Sequence, residues 1–327
     1  MAHVFEEIVS VENLLLAWQE FLKGKRNKKD VQEFSLHLMD NLLILHEELK
    51  KEIYAHGLYK YFRINDPKPR DIHKASVRDR LVHHAIYRVL YPYFSKRFIA
   101  DSYSCQLGKG THKALNRFRR FAFKVSRNHT RTCWILKCDI RKFFANIDHQ
   151  ILLQILQKHI QDADTLWLLN QVVKSFNSGE GGMTRHTAMG LPLGNLTSQL
   201  LVNIYMHEFD QWVKRGLKFK YYIRYADDFV FLSTDRNELE RLIPRIQDFL
   251  QNKLKLQLHP NKLFIKTLAS GVDFLGWVHF PDHRVLRTAT KRRMLRKVVG
   301  FSNEAMTSSY LGMLSHGNAR KLEKFLE

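Results

Sequence analysis

The chain has 327 residues and a net charge of +21, from 53 Lys and Arg against 32 Asp and Glu. An excess of this size favours a polyanionic partner, and nucleic acid is the first candidate. A membrane partner is not expected, because no apolar run approaches the ~20 residues that span a bilayer, and the amino terminus lacks the features of a signal peptide, so we expect a cytoplasmic protein.

The first 60 residues predict a helical region. Apolar residues recur there at three- to four-residue spacing, in two groups on either side of a basic turn, Gly24–Asp30. The first group is Leu14, Leu15, Trp18, Phe21 and Leu22, and the second is Leu38, Leu42, Leu45 and Leu49. The turn between them is either a solvated loop or a contact for RNA phosphate.

Three further segments follow in chain order. Two prolines, Pro67 and Pro69, enforce an extended conformation within Tyr61–Asp71. Helical periodicity returns from Asp79 to Phe94. The glycine-rich polar stretch Asn177–Gly190 then indicates a loop.

Two adjacent carboxylates, Asp227 and Asp228, lie between apolar strand-like runs in the segment Tyr222–Ser233. The flanking aromatic and β-branched residues suit paired strands, so the pattern predicts a hairpin with both carboxylates at its tip. Neighbouring carboxylates repel each other, and a fold that keeps them together at the edge of its core usually has a cation there. Taken alone, the pair also fits an ordinary polar hairpin turn.

A second predicted strand, Trp134–Cys138, delivers Asp139 at its end, before a helical segment that starts at Ile151. By itself this aspartate fits a helix cap or a turn. Together with the hairpin pair it gives three carboxylates on strand ends, the arrangement that holds two divalent cations roughly 3.5–4 Å apart for in-line phosphoryl transfer. One cation would activate an attacking 3′-hydroxyl, and the other would neutralise the leaving pyrophosphate.

The chain resembles the reverse transcriptases, because sequences similar to that family's motifs occur in the family's order along most of its length. They are two fingers motifs, PKPRDIHKASVRDRLVHHAI (67–86) and SYSCQLGKGTHKAL (102–115), the third motif DIRKFF (139–144), the fourth GLPLGNLTSQLLVNIY (190–205), the fifth YADD (225–228), the sixth LQLHPNK (256–262) and the seventh, the primer grip, VDFLGW (272–277). Six or more motifs in order are a very specific signal.

The resemblance implies an α+β fold of the right-hand polymerase type, with fingers, a palm of antiparallel sheet and helices, and a short helical thumb. We expect an N-terminal helical extension at residues 1–60, and fingers with the start of the palm at 61–133. The palm would occupy 134–276, with a fingers segment near 150–188, and the thumb would occupy 277–327.

The resemblance also implies the metal ligands. Asp139 and Asp227 would each bridge both metal ions. Asp228 would contribute to one of them, and the backbone carbonyl of Ile140 would add a further oxygen. The expected cofactor is a pair of Mg²⁺ ions, for which Mn²⁺ is an alternative.

Other residues match the positions that contact the incoming dNTP in the family. Lys68 and Arg70 resemble the pair that clamps the triphosphate, and their i, i+2 spacing places both on one face of an extended segment. Without the other motifs, this segment would be interpreted as a basic surface turn. Phe144 matches the steric gate, whose aromatic ring leaves no room for a 2′-hydroxyl, while the adjacent Phe143 is predicted to lie in the core. Gly194 would let the backbone approach the nucleotide closely.

The primer–template duplex is expected to meet two further segments. Phe274, Leu275 and Gly276 would hold the primer end. A predicted thumb helix, residues 286–301, has an apolar stripe of Met294, Leu295, Val298 and Val299. Around the stripe lie Lys291, Arg292, Arg293, Arg296 and Lys297, which would contact RNA phosphates. The alternative is a surface helix that binds no ligand.

Within the family, the fourth motif is similar to that of diversity-generating retroelements. Most group II intron and retron-type enzymes have PQGxxxSP, whereas this chain has PLGNLTSQ, with Leu193 in place of Gln and Gln199 in place of Pro. This branch implies an enzyme that copies a template RNA into cDNA with errors concentrated opposite adenine. It also implies a small basic accessory protein as a partner.

Three alternatives stay open at the level of sequence. The chain could be another prokaryotic reverse transcriptase, of the group II intron or retron type, although the VTG element expected of a retron enzyme is not found. It could also be a non-catalytic RNA-binding module on the same fold, against which the three carboxylates and the Phe144 gate argue. An RNA-dependent RNA polymerase is disfavoured because the aromatic gate would exclude its ribonucleotides.

Overall fold

The computed structural model describes residues 3–66, 68–176, 188–300 and 304–326. The chain forms two units, each assembled from three separate segments. Unit 1 consists of Met1–Ile99, Arg141–Trp212 and Phe249–Gln257, and unit 2 of Ala100–Ile140, Val213–Asp248 and Leu258–Glu327. The boundaries expected for fingers, palm and thumb divide the chain differently and stay a prediction.

Helices and strands alternate irregularly along the chain. The helices are α1 (Phe5–Val9), α2 (Val11–Phe21), α3 (Lys29–Leu36), α4 (Leu38–Lys50), α5 (Val77–Ser95), α6 (Thr111–Val125), α7 (His149–Gln157), α8 (Ala163–Lys174), α9 (Leu196–Gln211), α10 (Arg236–Leu254), α11 (Thr288–Gly300), α12 (Glu304–Leu314) and α13 (Arg320–Leu326). The strands are β1 (Lys60–Ile64), β2 (Arg70–Lys74), β3 (Trp134–Asp139), β4 (Tyr222–Tyr225), β5 (Asp228–Ser233), β6 (Phe264–Thr267), β7 (Val272–Phe274), β8 (Trp277–His279) and β9 (Arg284–Leu286). Within the described ranges, none of the helices combines the length and apolar character that a bilayer crossing requires.

The predicted helical region is confirmed as far as Lys50 and was wrong for residues 51–59, which form no helix, whereas the helix predicted from Asp79 to Phe94 is confirmed. Helices α1 to α4 precede the antiparallel β1–β2 hairpin, which covers most of the extended segment predicted from the prolines. Pro67 lies outside the described residues, as do residues 177–187 of the predicted glycine-rich loop. Helix α5 begins where the Ser76 hydroxyl accepts a hydrogen bond from the Asp79 amide, and its apolar face packs against α2 and α9.

The centre of unit 2 is a four-stranded antiparallel sheet in the order β4-β5-β3-β6. In β3, β4 and β5 the apolar residues alternate between two buried faces, as strands covered on both sides require, whereas the edge strand β6 is only partly buried. One face contributes Ile135, Ile223 and Val230 to a core that also contains Leu115 and Phe118 of α6. This core fixes the strand register, since a shift by one residue would turn the polar side chains inward.

A second, three-stranded sheet in unit 2 has the order β7-β8-β9 and is followed by α11, α12 and α13. Gly317, between the last two helices, packs so closely on the Trp277 ring that a Cβ at this position would overlap it. In α11, Met294 is fully buried but Val299 is 77% exposed. The predicted apolar stripe was therefore wrong at Val299, where the helix has turned away from the core near its end.

Candidate active site

The β4–β5 hairpin carries the two adjacent carboxylates at its tip, as predicted from the sequence. Tyr225 pairs with Asp228 across the hairpin, so Ala226 and Asp227 form the two-residue turn. Ala226 has a φ of +55°, in the left-handed region that residues with a Cβ adopt at a cost. The carbonyl of Asp227 accepts a hydrogen bond from the Ile140 amide at 3.1 Å, which ties the turn to the end of β3.

The strand register brings the third carboxylate to the same place. Asp139 is the last residue of β3 and lies directly opposite Asp228 of β5. Residues directly opposite each other in an antiparallel pair point to the same side of the sheet. Asp227 is next to Asp228 in the turn and interacts electrostatically with Asp139. We call Asp139, Asp227 and Asp228 the carboxylate cluster, although almost ninety residues of chain separate the first from the other two.

Two lysines offset the charge of this cluster. Lys137 Nζ lies 2.9 Å from Asp228 Oδ1, and Lys262 Nζ lies 2.8 Å from Asp139 Oδ1. Neither lysine is predicted from the sequence to have a role at this site. The signal for Lys137 was present: it is the single charged residue between apolar neighbours in β3, and its i, i+2 spacing to Asp139 places both side chains on one face.

Burial dominates the electrostatics of the cluster. It raises the pKa of Asp228 to about 6, although the neighbouring Lys137 opposes this shift. Burial also raises the pKa of Asp227, and the charge of Asp139 acts in the same direction. Partly buried carboxylates that repel each other provide the conditions under which a divalent cation binds favourably.

The donor chemistry of the cluster fits Mg²⁺ or Mn²⁺, which prefer carboxylate oxygens. No group of three or more His, Cys, Asp or Glu side chains is already converged for a metal ion in the part of the chain that the structure describes. A bound cation would take over the charge compensation that Lys137 and Lys262 provide. Ile140 is buried beside the cluster and its backbone bridges to Leu258, and the metal contact expected of its carbonyl stays a prediction.

The residues expected to contact the dNTP belong to unit 1. Phe143 is 3% exposed and lies in the core, whereas Phe144 is only half-buried, which matches the division predicted for this pair. The Phe144 carbonyl accepts a hydrogen bond from the Leu191 amide at 2.8 Å. This bond joins the third motif to the fourth motif. The role of Phe144 as a gate stays a prediction.

The fourth-motif turn, Leu193–Gly194, lies against strand β2. The Leu193 carbonyl accepts a hydrogen bond from the His73 amide at 3.4 Å. Gly194 has a φ of +110°, and a Cβ there would lie 3.4 Å from Cγ2 of Ile72. Glycine therefore provides both the backbone conformation and the close approach at this position.

Arg70 is exposed and begins β2, two residues before Ile72. Alternate residues of a strand share a face, so Arg70 is presented on the face that lies against Gly194. Lys68 is also exposed, just before the strand. The structure thus places Arg70 on the strand whose Ile72 and His73 contact the fourth-motif turn, and binding of a triphosphate by Lys68 and Arg70 stays a prediction.

The primer-grip residues form the β7–β8 hairpin. Phe274 pairs with Trp277, and the turn between them consists of Leu275 and Gly276, both with positive φ. Phe274 is fully buried, with its ring centroid 5.5 Å from that of Phe118. Phe274 therefore supports the hairpin from the core, and Leu275 and Gly276 form the tip that could meet a primer.

The basic residues predicted for the thumb lie on α11, around its buried Met294. Lys291, Arg292, Arg296 and Lys297 are exposed, and Arg293 is half-buried. We call these five residues the basic face of α11. Its exposure is compatible with phosphate contact, which stays a prediction.

The antiparallel sheet and the helices around it form an α+β fold of the right-hand polymerase type. Telomerase from Candida albicans, solved with a fragment of telomeric RNA, has a TM-score of 0.51 over 73% of this chain and 46% of its own, at 12% identity. A truncated apo telomerase from Candida tropicalis gives the same TM-score and identity over 77% of this chain and 60% of its own. This likeness shows the fold and confirms the fold class predicted from the sequence.

The sequence comparisons show the family. The family described as reverse transcriptase (RNA-dependent DNA polymerase) matches residues 64–279. The chain belongs to this family. It is 25% identical to the protein YkfC of Escherichia coli K12 over 270 residues, 73% of this chain and 68% of YkfC. It is 24% identical to the group II intron-encoded protein LtrA of Lactococcus lactis over 292 residues, 70% of this chain and 47% of LtrA. The chain thus spans about half the length of LtrA.

Proposed function

We propose that the chain is an RNA-directed DNA polymerase that copies a template RNA into cDNA from dNTPs. The observation that carries this proposal is the strand register, which sets Asp139 opposite Asp228 with Asp227 in the adjoining turn. A carboxylate cluster at this position in a chain of the reverse transcriptase family is the arrangement required for phosphoryl transfer.

The predicted residues of each unit have separate tasks in this proposal. Divalent ions bound by the carboxylates, Mg²⁺ or Mn²⁺, would supply activation of the primer 3′-hydroxyl and neutralisation of the leaving pyrophosphate. Asp139, Asp227 and Asp228 hold the charge that binds such ions. Arg70 can bind a triphosphate through two parallel hydrogen bonds, and Lys68 through its point charge. Phe144 restricts the space beside the sugar of the incoming nucleotide.

Binding of RNA rests on the positive charge of the chain. A net charge of +21 attracts a polyanion of any sequence, because binding releases counterions from the phosphate backbone. Among the basic segments identified in the sequence, the basic face of α11 has the highest density of positive charge. Chemistry and RNA binding therefore depend on different residues, and this separation makes the proposal testable.

The test compares Asp227→Asn with wild type in primer extension on an RNA template. The change removes a charged oxygen and keeps the side-chain volume, so extension should fall to background while the affinity for RNA stays within about twofold. Asp40→Asn, at an exposed position of α4, is the matched control and should extend normally. Extension by Asp227→Asn at a rate near wild type would remove the carboxylate cluster from the mechanism.

We further propose that the enzyme is of the diversity-generating type and makes cDNA with frequent errors opposite template adenine. Leu193 supports this proposal, because it replaces a Gln of related enzymes and has neither a donor nor an acceptor. It lies half-buried in the turn against β2. An apolar contact supplies only ~1–3 kcal/mol of discrimination, so a site that relies on shape makes more errors. The preference for errors opposite template adenine is inferred from the resemblance to diversity-generating enzymes and does not follow from Leu193 itself.

Sequencing the cDNA made from one defined RNA template tests this branch. We expect frequent errors at adenine in wild type, fewer in Leu193→Gln, and a changed frequency when Arg70 is replaced by Ala. A Leu200→Met variant, at a buried position of α9, controls for a general disturbance of the region. Uniformly low errors in wild type would refute the branch assignment.

The diversity-generating type also predicts a partner and a genetic context. The partner would be a small basic accessory protein, proposed by likeness alone. The flanking DNA should contain two near-identical repeats that differ mainly at adenines of one copy. Absence of such repeats would refute the assignment to the diversity-generating type and would leave the polymerase proposal intact.

An enzyme of the group II intron type is the second candidate. The similarity to LtrA over 292 residues favours it. Faithful cDNA synthesis, together with selective binding of an intron RNA over an unrelated RNA of equal length, would support this candidate over the first.

A further inference from the structure

Arg224 is the largest fully buried side chain among the described residues, and it lies two residues before the turn that carries Asp227. A guanidinium that is removed from water needs hydrogen-bond acceptors in place of the water it has lost. The fold accordingly surrounds Arg224 with acceptors. One of these acceptors, the carbonyl of Ala226, belongs to the turn that carries Asp227.

The two ends of the guanidinium hold two different segments. Nη1 donates to the carbonyl of Ala226 at 3.1 Å, and Nη2 donates to Oγ of Ser102 at 3.1 Å. The backbone strengthens the same connection, because the Arg224 amide donates to the Asp101 carbonyl and the Tyr103 amide donates to the Arg224 carbonyl, both at 3.0 Å. Arg224 thus joins β4 and the Ala226 turn to the segment around Ser102.

The segment that Arg224 uses as an anchor is itself well fixed. The side-chain amide of Gln106 donates to both the carbonyl and the hydroxyl of Ser102 at 3.0 Å, and the Lys109 ammonium donates to the same carbonyl at 2.7 Å. Ser102 is fully buried. A positioning contact requires a rigid partner, and these hydrogen bonds restrain Ser102 in that role.

The turn needs such a contact because of its backbone conformation. Ala226 adopts a φ of +55°, which a residue with a Cβ does not favour without support from its surroundings. The next carbonyl, that of Asp227, accepts the Ile140 amide at 3.1 Å. The two consecutive carbonyls are therefore held from two sides, one by Arg224 and the other by the end of β3.

We propose that Arg224 is a positioning residue that fixes the Ala226–Asp227 turn and thereby sets the affinity of the carboxylate cluster for divalent cations. This inference rests on the proposed function, since it concerns the same cluster. Arg224 touches neither substrate nor cation in this role. It acts through the Ala226 carbonyl and the direction of the Asp227 side chain that follows.

The chemistry of the guanidinium suggests the variant to use. Its planar fork reaches two acceptors at once, whereas a lysine is a single point charge on a flexible stem. Arg224→Lys keeps the buried charge but cannot hold Ala226 and Ser102 together. Ser102→Ala is the milder second variant, because it removes only the far acceptor and leaves the arginine in place.

The main readout is cation binding without turnover. Binding of Mn²⁺ to the metal-free protein is followed by electron paramagnetic resonance, with no nucleotide or RNA present. Loss of a group that orients a metal ligand typically weakens binding 10- to 100-fold. We therefore expect the Mn²⁺ dissociation constant to rise at least roughly tenfold in Arg224→Lys, or about 1.4 kcal/mol of binding free energy, and less in Ser102→Ala.

Two further measurements separate positioning from loss of stability. Hydrogen–deuterium exchange of the peptide that contains Ala226 and Asp227 should become faster in Arg224→Lys. In primer extension, the Mg²⁺ concentration for half-maximal rate should rise, and saturating Mg²⁺ should restore the rate. Leu115→Ala, in the fully buried core of unit 2, is the control that lowers stability without touching the turn, and its cation affinity should equal that of wild type.

The outcomes are distinct. Wild-type Mn²⁺ affinity and unchanged exchange at the turn in Arg224→Lys would overturn the inference, as would an equal loss of affinity in Leu115→Ala. A wild-type protein that binds Mn²⁺ but extends no primer would instead overturn the proposed function. In that case a weakened affinity in Arg224→Lys would still support the positioning role.

Discussion

Replacement of Asp228 by Asn is expected to stabilise the metal-free protein increasingly as the pH rises. Asp228 begins β5 with its side chain 18% exposed, and burial raises its pKa from 3.8 to about 6. A carboxyl group with a higher pKa in the folded chain than in the unfolded chain binds its proton more tightly in the folded chain. Its contribution to stability is therefore present below about pH 4 and is lost as the pH rises through about 6.

The size of this effect follows from the two pKa values. A rise from 3.8 to about 6, at about 1.4 kcal/mol per pH unit, corresponds to a loss of about 3 kcal/mol in the free energy of unfolding by pH 7. Asn has the same shape and no charge, so it does not undergo this loss. The contact with Lys137 forms with the ionised carboxylate and is already included in the pKa of about 6, so it is not counted a second time.

Urea unfolding in the presence of a chelator measures this directly. Wild type and Asp228→Asn are compared between pH 4 and pH 7.5. The stability difference between Asp228→Asn and wild type should change by about 2 kcal/mol in favour of the variant between pH 4 and pH 7, because part of the total loss has already occurred at pH 4. A constant difference for Asp228→Asn, or a change in the opposite direction, would refute the electrostatic account of the cluster.

Three other predictions concern separate parts of the molecule. Phe144→Ala should admit ribonucleotides in extension assays, with the loss of several hundred-fold discrimination or about 3–4 kcal/mol, whereas Phe143→Ala should keep the sugar preference and cost about 3–5 kcal/mol of stability. If Phe143→Ala admits ribonucleotides and Phe144→Ala does not, the steric gate is Phe143 and the assignment to Phe144 is wrong. Neutralising the three arginines of α11 should flatten the dependence of log affinity on log salt by about 2–3 for unrelated RNAs, and an unchanged slope would place the RNA elsewhere. Ala226→Gly should raise the free energy of unfolding by about 0.5–1 kcal/mol in urea titrations, because glycine adopts a positive φ without strain, and a destabilised variant would contradict the strain at this turn.

The sequence by itself determined the features that depend on local pattern. Aromatic and β-branched residues on both sides of Asp227 and Asp228 predicted a hairpin with the carboxylates at its tip, and the structure confirms it. The apolar run before Asp139 predicted a strand that ends there, also correctly. These predictions succeeded because strand pairing at a short turn needs only neighbouring residues. The ordered motifs pointed to the family in the same way, since each is a short continuous segment.

The tertiary structure alone decided which distant groups meet these residues. Lys262 reaches Asp139 across 123 positions, and Arg224 reaches Ser102 across 122. Such contacts depend on sheet register and on the packing of several segments at once, which no local periodicity encodes. For the same reason the raised pKa of Asp228 could not be predicted, because it results mainly from burial by parts of the chain that are remote in sequence. The sequence thus determined where the carboxylates stand on their strands, and the packing around them decided their charge, their counter-ions and the support of their turn.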